Sequence, residues 1–250
     1  MIPIKTEEDL EKMRSSGRIL SWVMQELRKQ VKENISCLEL DKIAGELIVK
    51  KKATAAFKGY KGFPANICAS INEEIVHGIP SARKLKNGDI LSLDLGVNYG
   101  GYFSDAAMTI AVGEVKPEIK RLIEVTKESL IIGVKEARIS NHISDISNAI
   151  QTYVEKNKFS VVRQFVGHGI GKDLHEEPEI PNFGKPHLGE VIKNGMVLAI
   201  EPMVNMGGWG SKILDNNWTA VTTDGLPSAH FEYTVAVTEK GPEVLTELFL

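Results

Sequence analysis

Only two cysteines, Cys37 and Cys68, occur in 250 residues, so neither a disulfide framework nor a cysteine-rich zinc site can be built. Aromatic residues make up 6% of the chain, and neither charge sign is in excess: 30 Lys and Arg stand against 33 Asp and Glu, a formal net charge of −3. That balance gives no field suited to a phosphate backbone or an anionic lipid surface, so direct nucleic-acid binding and membrane association are not expected. The longest apolar candidate, Leu130-Ile-Ile-Gly-Val134, falls far short of the ~18 residues that a spanning helix requires. Met1 to Asp9 lack the apolar segment of a secretory signal and carry acidic side chains foreign to a transit peptide, which makes the cytoplasm the expected compartment. What is present is an ordinary globular mix, 42% hydrophobic and 25% charged. A chain of this length buries roughly 70–75% of its unfolded surface on folding. It needs no metal to fold, so any metal would serve chemistry.

Thr6 opens a stretch with Leu10, Met13, Gly17, Leu20, Met24 and Leu27 at steps of three and four, one face of an amphipathic helix. Ser36 and Glu39 form a capping box ahead of Leu40, Ile43, Ala44, Leu47 and Ile48, which predicts a second helix. The pair recurs. Pro117 suits a first helical turn before Ile119, Leu122 and Ile123, and Asn141 precedes Ile143, Ile146, Ile150, Tyr153 and Val154 at helical spacing. A second echo follows each pair, where Leu85-Lys-Asn-Gly-Asp-Ile-Leu-Ser-Leu-Asp94 aligns with Ile192-Lys-Asn-Gly-Met-Val-Leu-Ala-Ile-Glu201. In both, a Lys-Asn-Gly turn launches an apolar strand that ends on a carboxylate. This predicts an α+β chain of two related halves, about 1–112 and 113–250, packed as one catalytic domain over 1–250. The seam between such halves is a favoured place for a site.

Leu95 to Ser104, between Asp94 and Asp105, is turn-rich and flanked by strand formers, as in a β-hairpin. A turn centred on Tyr99-Gly100 would set Asp94 directly opposite Asp105 with Cβ atoms ~5 Å apart, which is destabilising unless something neutralises the charges. A divalent cation does so economically. A shifted register that points the carboxylates apart is the alternative. His168 and His175 stand seven apart in the glycine-rich run Gly167-His-Gly-Ile-Gly-Lys-Asp-Leu-His-Glu-Glu-Pro178, read here as flexible and non-helical. Glu201-Pro202 ends a strand. Ala229 to Val237 alternates as one strand, with Glu232 and His230 on its polar side. Taken singly, each of these acids is an ordinary solvated group and each histidine an ordinary structural one. Together, four carboxylates and one imidazole make a hard, oxygen-rich site for two divalent ions of the Mn, Fe, Co or Zn kind.

With these residues in place, the chain resembles the type I methionine aminopeptidases of the pita-bread metallopeptidase fold over essentially its whole length. The resemblance rests on Asn-Glu-Glu-Ile-Val-His77-Gly-Ile-Pro, the Asp94 and Asp105 pair, Gly-His168-Gly-Ile-Gly-x3-His175-Glu-Glu-Pro, Ile-Glu201-Pro-Met and Phe-Glu232-Tyr-Thr. It implies two half-domains related by a pseudo-twofold axis, with a central antiparallel sheet backed by two helix pairs. It also implies that Asp94, Asp105, His168, Glu201 and Glu232 hold two divalent ions (Co, Mn, Fe or Zn), with Asp105 and Glu232 bridging, and that the initiator methionine is hydrolysed from nascent polypeptides. The ions would lower the pKa of a coordinated water and polarise the scissile carbonyl. Glu201 would accept the proton, His175 would steady the oxyanion, and His77 would contact the scissile amide nitrogen.

The same resemblance maps a narrow apolar pocket for the first residue to Phe57, Tyr60, Phe63, Cys68, Leu174 and Trp218, a slot suited to unbranched methionine. The chain departs from common members of the family at Leu174, where an aromatic is frequent, at Phe57, where a small residue or Cys is frequent, and at Gly96, where Thr is. His230 and Tyr233 replace the more usual Gln and His beside Glu232. A monomer is implied, with ribosome contact left open. An Xaa-Pro peptidase of the same fold, or a metal-free binding protein, is the alternative function.

Overall fold

The computed structural model describes residues 2–248. Its first helix, α1 (Glu7–Arg28), begins where Thr6 accepts the Asp9 N–H and Asp9 reciprocally accepts the Thr6 N–H, satisfying donors that a helix start leaves free. Ser36 and Glu39 do the same for α2 (Cys37–Lys50). Helix α3 (Pro117–Glu136) carries proline in its first turn, where the missing N–H costs nothing. The last, α4 (Ile143–Lys156), starts from His142, whose N–H is accepted by Asp145. All four helices fall where the sequence periodicity puts them.

Among the described residues the central sheet has nine strands, and all of its pairings are antiparallel. Its spine is the hairpin of strands Ile90–Tyr99 and Tyr102–Ala111, then Glu232–Thr238, Val197–Ile200, Gly167–Gly169 and Glu176–Ile180. The two parts of the chain are stitched in the central sheet, where Glu232 faces Ala107 and Tyr233 faces Ala106, and again in a smaller sheet, where Ala220 faces Val76. The core lies between this sheet and the helices. Leu20, Val23, Met24 and Leu27 of α1 and Leu122 and Ile146 of α3 and α4 are fully buried, each contributing roughly 1.5–3 kcal/mol. Gly17 lets α1 approach closely, because a Cβ there would lie 2.1 Å from the Leu245 carbonyl oxygen.

Three expectations change. The hairpin turns at Gly100-Gly101, both in the left-handed region (φ 62° and 83°), not at Tyr99-Gly100. Asp94 therefore faces Ala107, and Asp105 faces Gly96. A slip of two residues preserves the side-chain face, so the two carboxylates become diagonal neighbours on one side of the sheet. Second, Ala229 to Val237 is not one strand: Ser228–His230 pairs with Met203–Asn205 in a separate sheet, and the chain crosses at Phe231 into Glu232–Thr238. Third, the glycines around His168 are not there for flexibility. A Cβ at Gly167 would meet the Ala199 carbonyl oxygen at 2.3 Å and one at Gly169 the Glu177 oxygen at 2.1 Å, so Gly167–Gly169 is a tightly packed strand.

Candidate metal centre

Asp94 and Asp105 project from the hairpin, Glu232 from the adjoining strand, His168 from the short Gly167–Gly169 strand, and Glu201 follows Val197–Ile200. The sheet order brings these five side chains around one cavity of about 250 Å³. Ligand atoms of Asp105, His168 and Glu232 all lie within 4.8 Å of one another. The Asp94 and Asp105 carboxyls are within hydrogen-bonding reach of each other, and His168 Nε2 is 3.6 Å from Glu201 Oε1.

The supports are local. The Thr234 hydroxyl accepts the Asp105 N–H at 2.9 Å and donates to the Asp105 carbonyl at 2.8 Å, fixing that strand residue. His168 Nδ1 lies 2.8 Å from the Gly169 carbonyl, an acceptor, so Nδ1 carries the hydrogen and Nε2 presents its lone pair to the cavity. Burial pushes this imidazole down to about 4, which keeps it neutral and able to bind a cation.

The carboxylates are strained by their surroundings. Burial raises Asp94 to about 7. Burial first, and then the neighbouring acids, raise Asp105, Glu201 and Glu232 well above the carboxylate range. Asp94 Oδ1 and Glu232 Oε1 are buried with no hydrogen-bond partner. A lysine lines the cavity, Lys61, but it reaches over the Tyr60 ring and forms no ion pair with the acids among the described residues. Orphaned anionic oxygens around a neutral imidazole fit a hard divalent cation, which would turn their repulsion into coordination.

Above this floor the wall is apolar. Phe63 meets Trp218 edge-on at 5.1 Å and Phe57 at 6.5 Å between ring centroids. Leu174 and Cys68 are buried in the same wall. His175 is exposed at the mouth, stacked on Tyr60, whose hydroxyl is 2.9 Å from Nδ1. Glu176 orders this turn by accepting the Lys172 and Asp173 N–H groups and pairing with buried Lys5. His77 holds φ 59° and packs edge-on against Phe165 and Trp218, and burial lowers its pKa.

The profile of metallopeptidase family M24 matches residues 11–239. The chain is 53% identical to methionine aminopeptidase 1 of Bacillus subtilis, over 99% of this chain and all of that one. It is 52% identical to the methionine aminopeptidase of Clostridium perfringens, over 98% and 99% of the two chains. The chain belongs to the methionine aminopeptidases of family M24. Its fold is superposable on the crystal structure of the Rickettsia prowazekii methionine aminopeptidase with a TM-score of 0.98 at 39% identity, over 99% of this chain and 100% of that chain. This is the pita-bread fold, and membership of a metallopeptidase family implies divalent metal binding.

Every residue expected from the resemblance to methionine aminopeptidases lines the one cavity: Phe57, Tyr60, Phe63, Cys68, His77, Asp94, Asp105, His168, Leu174, His175, Glu201, Trp218 and Glu232. Two departures from common family members explain each other. The Phe57 ring occupies the space over Gly96, where an added Cβ would meet Phe57 Cε1 and Ala56 Cβ at 2.9 Å. A large residue at 57 thus requires a bare backbone at 96. His230 is fully buried with neither ring nitrogen hydrogen-bonded, and its Nε2 is 3.7 Å from Glu201 Oε2. Lys61 and Phe165 were not expected from the sequence, and Thr234 entered only as the last residue of the Phe-Glu232-Tyr-Thr motif, with no role assigned to it. Strand alternation two residues beyond Glu232 could have found Thr234, whereas nothing local marks Lys61 or Phe165.

Proposed function

We infer that this protein hydrolyses the first peptide bond of nascent polypeptides to release the N-terminal methionine, with divalent ions held by Asp94, Asp105, His168, Glu201 and Glu232. One observation carries the reading: three buried carboxylates and half-buried Glu201, with orphaned oxygens on Asp94 and Glu232, converge with the free Nε2 of His168 at the floor of an apolar cavity of about 250 Å³. That volume lies below the roughly 300–1,000 Å³ usual for drug-sized ligands and suits a single unbranched side chain. Near-full-length identity to bacterial methionine aminopeptidases supports the same substrate.

When bound, the ions supply an activated water and a Lewis acid for the scissile carbonyl. The remaining work belongs to the chain. Phe63, Trp218, Leu174, Phe57, Tyr60 and Cys68 exclude water and hold the methionine side chain. Glu201 accepts the proton of the attacking water. Asp94, Asp105, His168, Glu201 and Glu232 would hold the ions, with Asp105 and Glu232 placed to be shared between two of them. His175, oriented by the Tyr60 hydroxyl, donates to the oxyanion from Nε2. His77 contacts the scissile nitrogen.

Residues 1–112 and 113–250 act in this reading as duplicated halves of one catalytic domain, each bringing two carboxylates to the seam. We also place the enzyme in the cytoplasm as a monomer. No helix among the described residues is long and apolar enough to cross a membrane. The test is release of methionine from Met-Ala peptides, against cleavage of Ala-Pro peptides, by protein loaded with Mn, Fe, Co or Zn. Methionine release with at least one ion is expected. Cleavage of Ala-Pro alone would move the protein to the Xaa-Pro peptidases, and no metal uptake would leave a binding protein.

A further inference from the structure

A second group of metal-binding side chains lies at the start of α4 and shares no residue with the catalytic cavity. His142, Asp145 and His187 each offer one ligand atom, and the three atoms lie within 4.8 Å of one another. His142 Nδ1 is 3.8 Å from Asp145 Oδ2, and His187 Nδ1 is 3.2 Å from Asp145 Oδ1. Two imidazole nitrogens thus converge on the two oxygens of one carboxylate. Donor atoms around a tetrahedral ion at 2.0–2.1 Å stand about 3.4 Å apart; the imidazole–carboxylate separations of 3.8 and 3.2 Å lie on either side of that value, and all three donor atoms lie within 4.8 Å.

The group is prearranged by the backbone. Asp145 accepts the His142 N–H at 2.7 Å and the His187 N–H at 2.8 Å, which uses one lone pair on each oxygen and leaves one on each free. The segment that carries His187 is tied to the first turn of α4 by the Ile143 N–H to the Glu190 carbonyl, the Leu188 N–H to the Ser144 hydroxyl, and a bridge between His142 and Val191. Asp145 itself is buried, which would favour its neutral form. The two N–H donors and the two imidazoles outweigh burial and hold its pKa below the ordinary value, so the carboxylate is charged.

Two features point to a ligand and not merely to a helix cap. His142 Nδ1 is buried with no hydrogen-bond partner and is aimed at the carboxylate from beyond hydrogen-bonding distance. His187 occupies the left-handed region (φ 63°), and its side chain stays 80% exposed with its Nδ1 turned to Asp145. A cap accounts for His142, the N-cap residue of α4, but not for the exposed His187 ring. A shared cation would use both, and the exposure of His187 leaves water free to complete its coordination.

We propose that His142, Asp145 and His187 form a second metal site for a borderline divalent ion such as Zn²⁺, Co²⁺ or Ni²⁺, which clamps the start of α4 to the 184–192 segment. Two imidazoles and one carboxylate select this class of ion over Mg²⁺ or Ca²⁺, which prefer all-oxygen shells.

The experiment compares full-length, metal-stripped, untagged wild type with His187→Gly and His142→Gln in Zn²⁺ titration calorimetry and in metal analysis after desalting. Glycine at 187 accepts the observed φ, so that variant is expected to fold even if His142→Gln does not. Wild type should bind one more Zn²⁺ per chain than either folded variant, and Co²⁺ loading should give an absorption band that both variants lack. Methionine release should be unchanged in His187→Gly. Zn²⁺ stoichiometry and Co²⁺ spectra identical in wild type and His187→Gly overturn the proposal and leave the cluster as a His–Asp–His cap.

Discussion

Removing the cations from the catalytic centre should make this protein less stable as the pH rises through the acid-to-neutral range. Burial lifts the Asp94 carboxyl from 3.8 to about 7. Between those values the folded chain keeps a proton that the unfolded chain has lost, so stability is fully present below about pH 4 and is lost by about pH 7. At 1.36 kcal/mol per pH unit the loss from Asp94 is about 4 kcal/mol, or ~8–16 °C in Tm for a domain of this size. Bound cations invert the sign, because the ionised carboxylate is then the ligand. The assay is calorimetric Tm from pH 4 to pH 7.5 for chelator-treated wild type and Asp94→Asn, each repeated with Mn²⁺. The metal-free wild type should fall relative to metal-free Asp94→Asn by about that amount, while added Mn²⁺ should rescue the wild type far more than the variant. Parallel metal-free curves would refute the electrostatic reasoning, since they would mean that the Asp94 carboxyl costs nothing to ionise in place.

Glu201→Gln should fold normally and lose methionine release by orders of magnitude, because a proton acceptor and a charged ligand go together; near-wild-type kcat would assign the base elsewhere. His77→Ala should lower kcat with metal content unchanged, and a fall in bound metal on elemental analysis would make His77 a ligand instead. Tyr60→Phe removes the hydroxyl 2.9 Å from His175 Nδ1 and should lower kcat severalfold with little change in Tm. Gly96→Ala should cost about 1–3 kcal/mol through overpacking against Phe57, and chemical denaturation should show part of that recovered in the Phe57→Ala, Gly96→Ala double variant.

The sequence by itself determined the helices and the chemical inventory. The Ser36–Glu39 box and Pro117 act through hydrogen bonds and dihedrals within one turn, so their meaning is complete in a few residues. The two Lys-Asn-Gly strands, each leading to a carboxylate, are local in the same sense. Family motifs then supplied the grouping of Asp94, Asp105, His168, Glu201 and Glu232, which no local rule contains. Only the tertiary structure decided the rest. The hairpin turned at Gly100-Gly101 because two adjacent residues there take positive φ, and sequence alternation reads the same for either register. The glycines beside His168 answer to the Ala199 and Glu177 backbones, partners distant or unmarked in the sequence. Phe57 and Gly96 make sense only as a touching pair, and His142 and His187 meet at Asp145 only because the 184–192 segment folds back over α4. Convergence of this kind depends on strand order and long-range pairing, whose energies are spread over the whole sheet and leave no mark at the residues that meet.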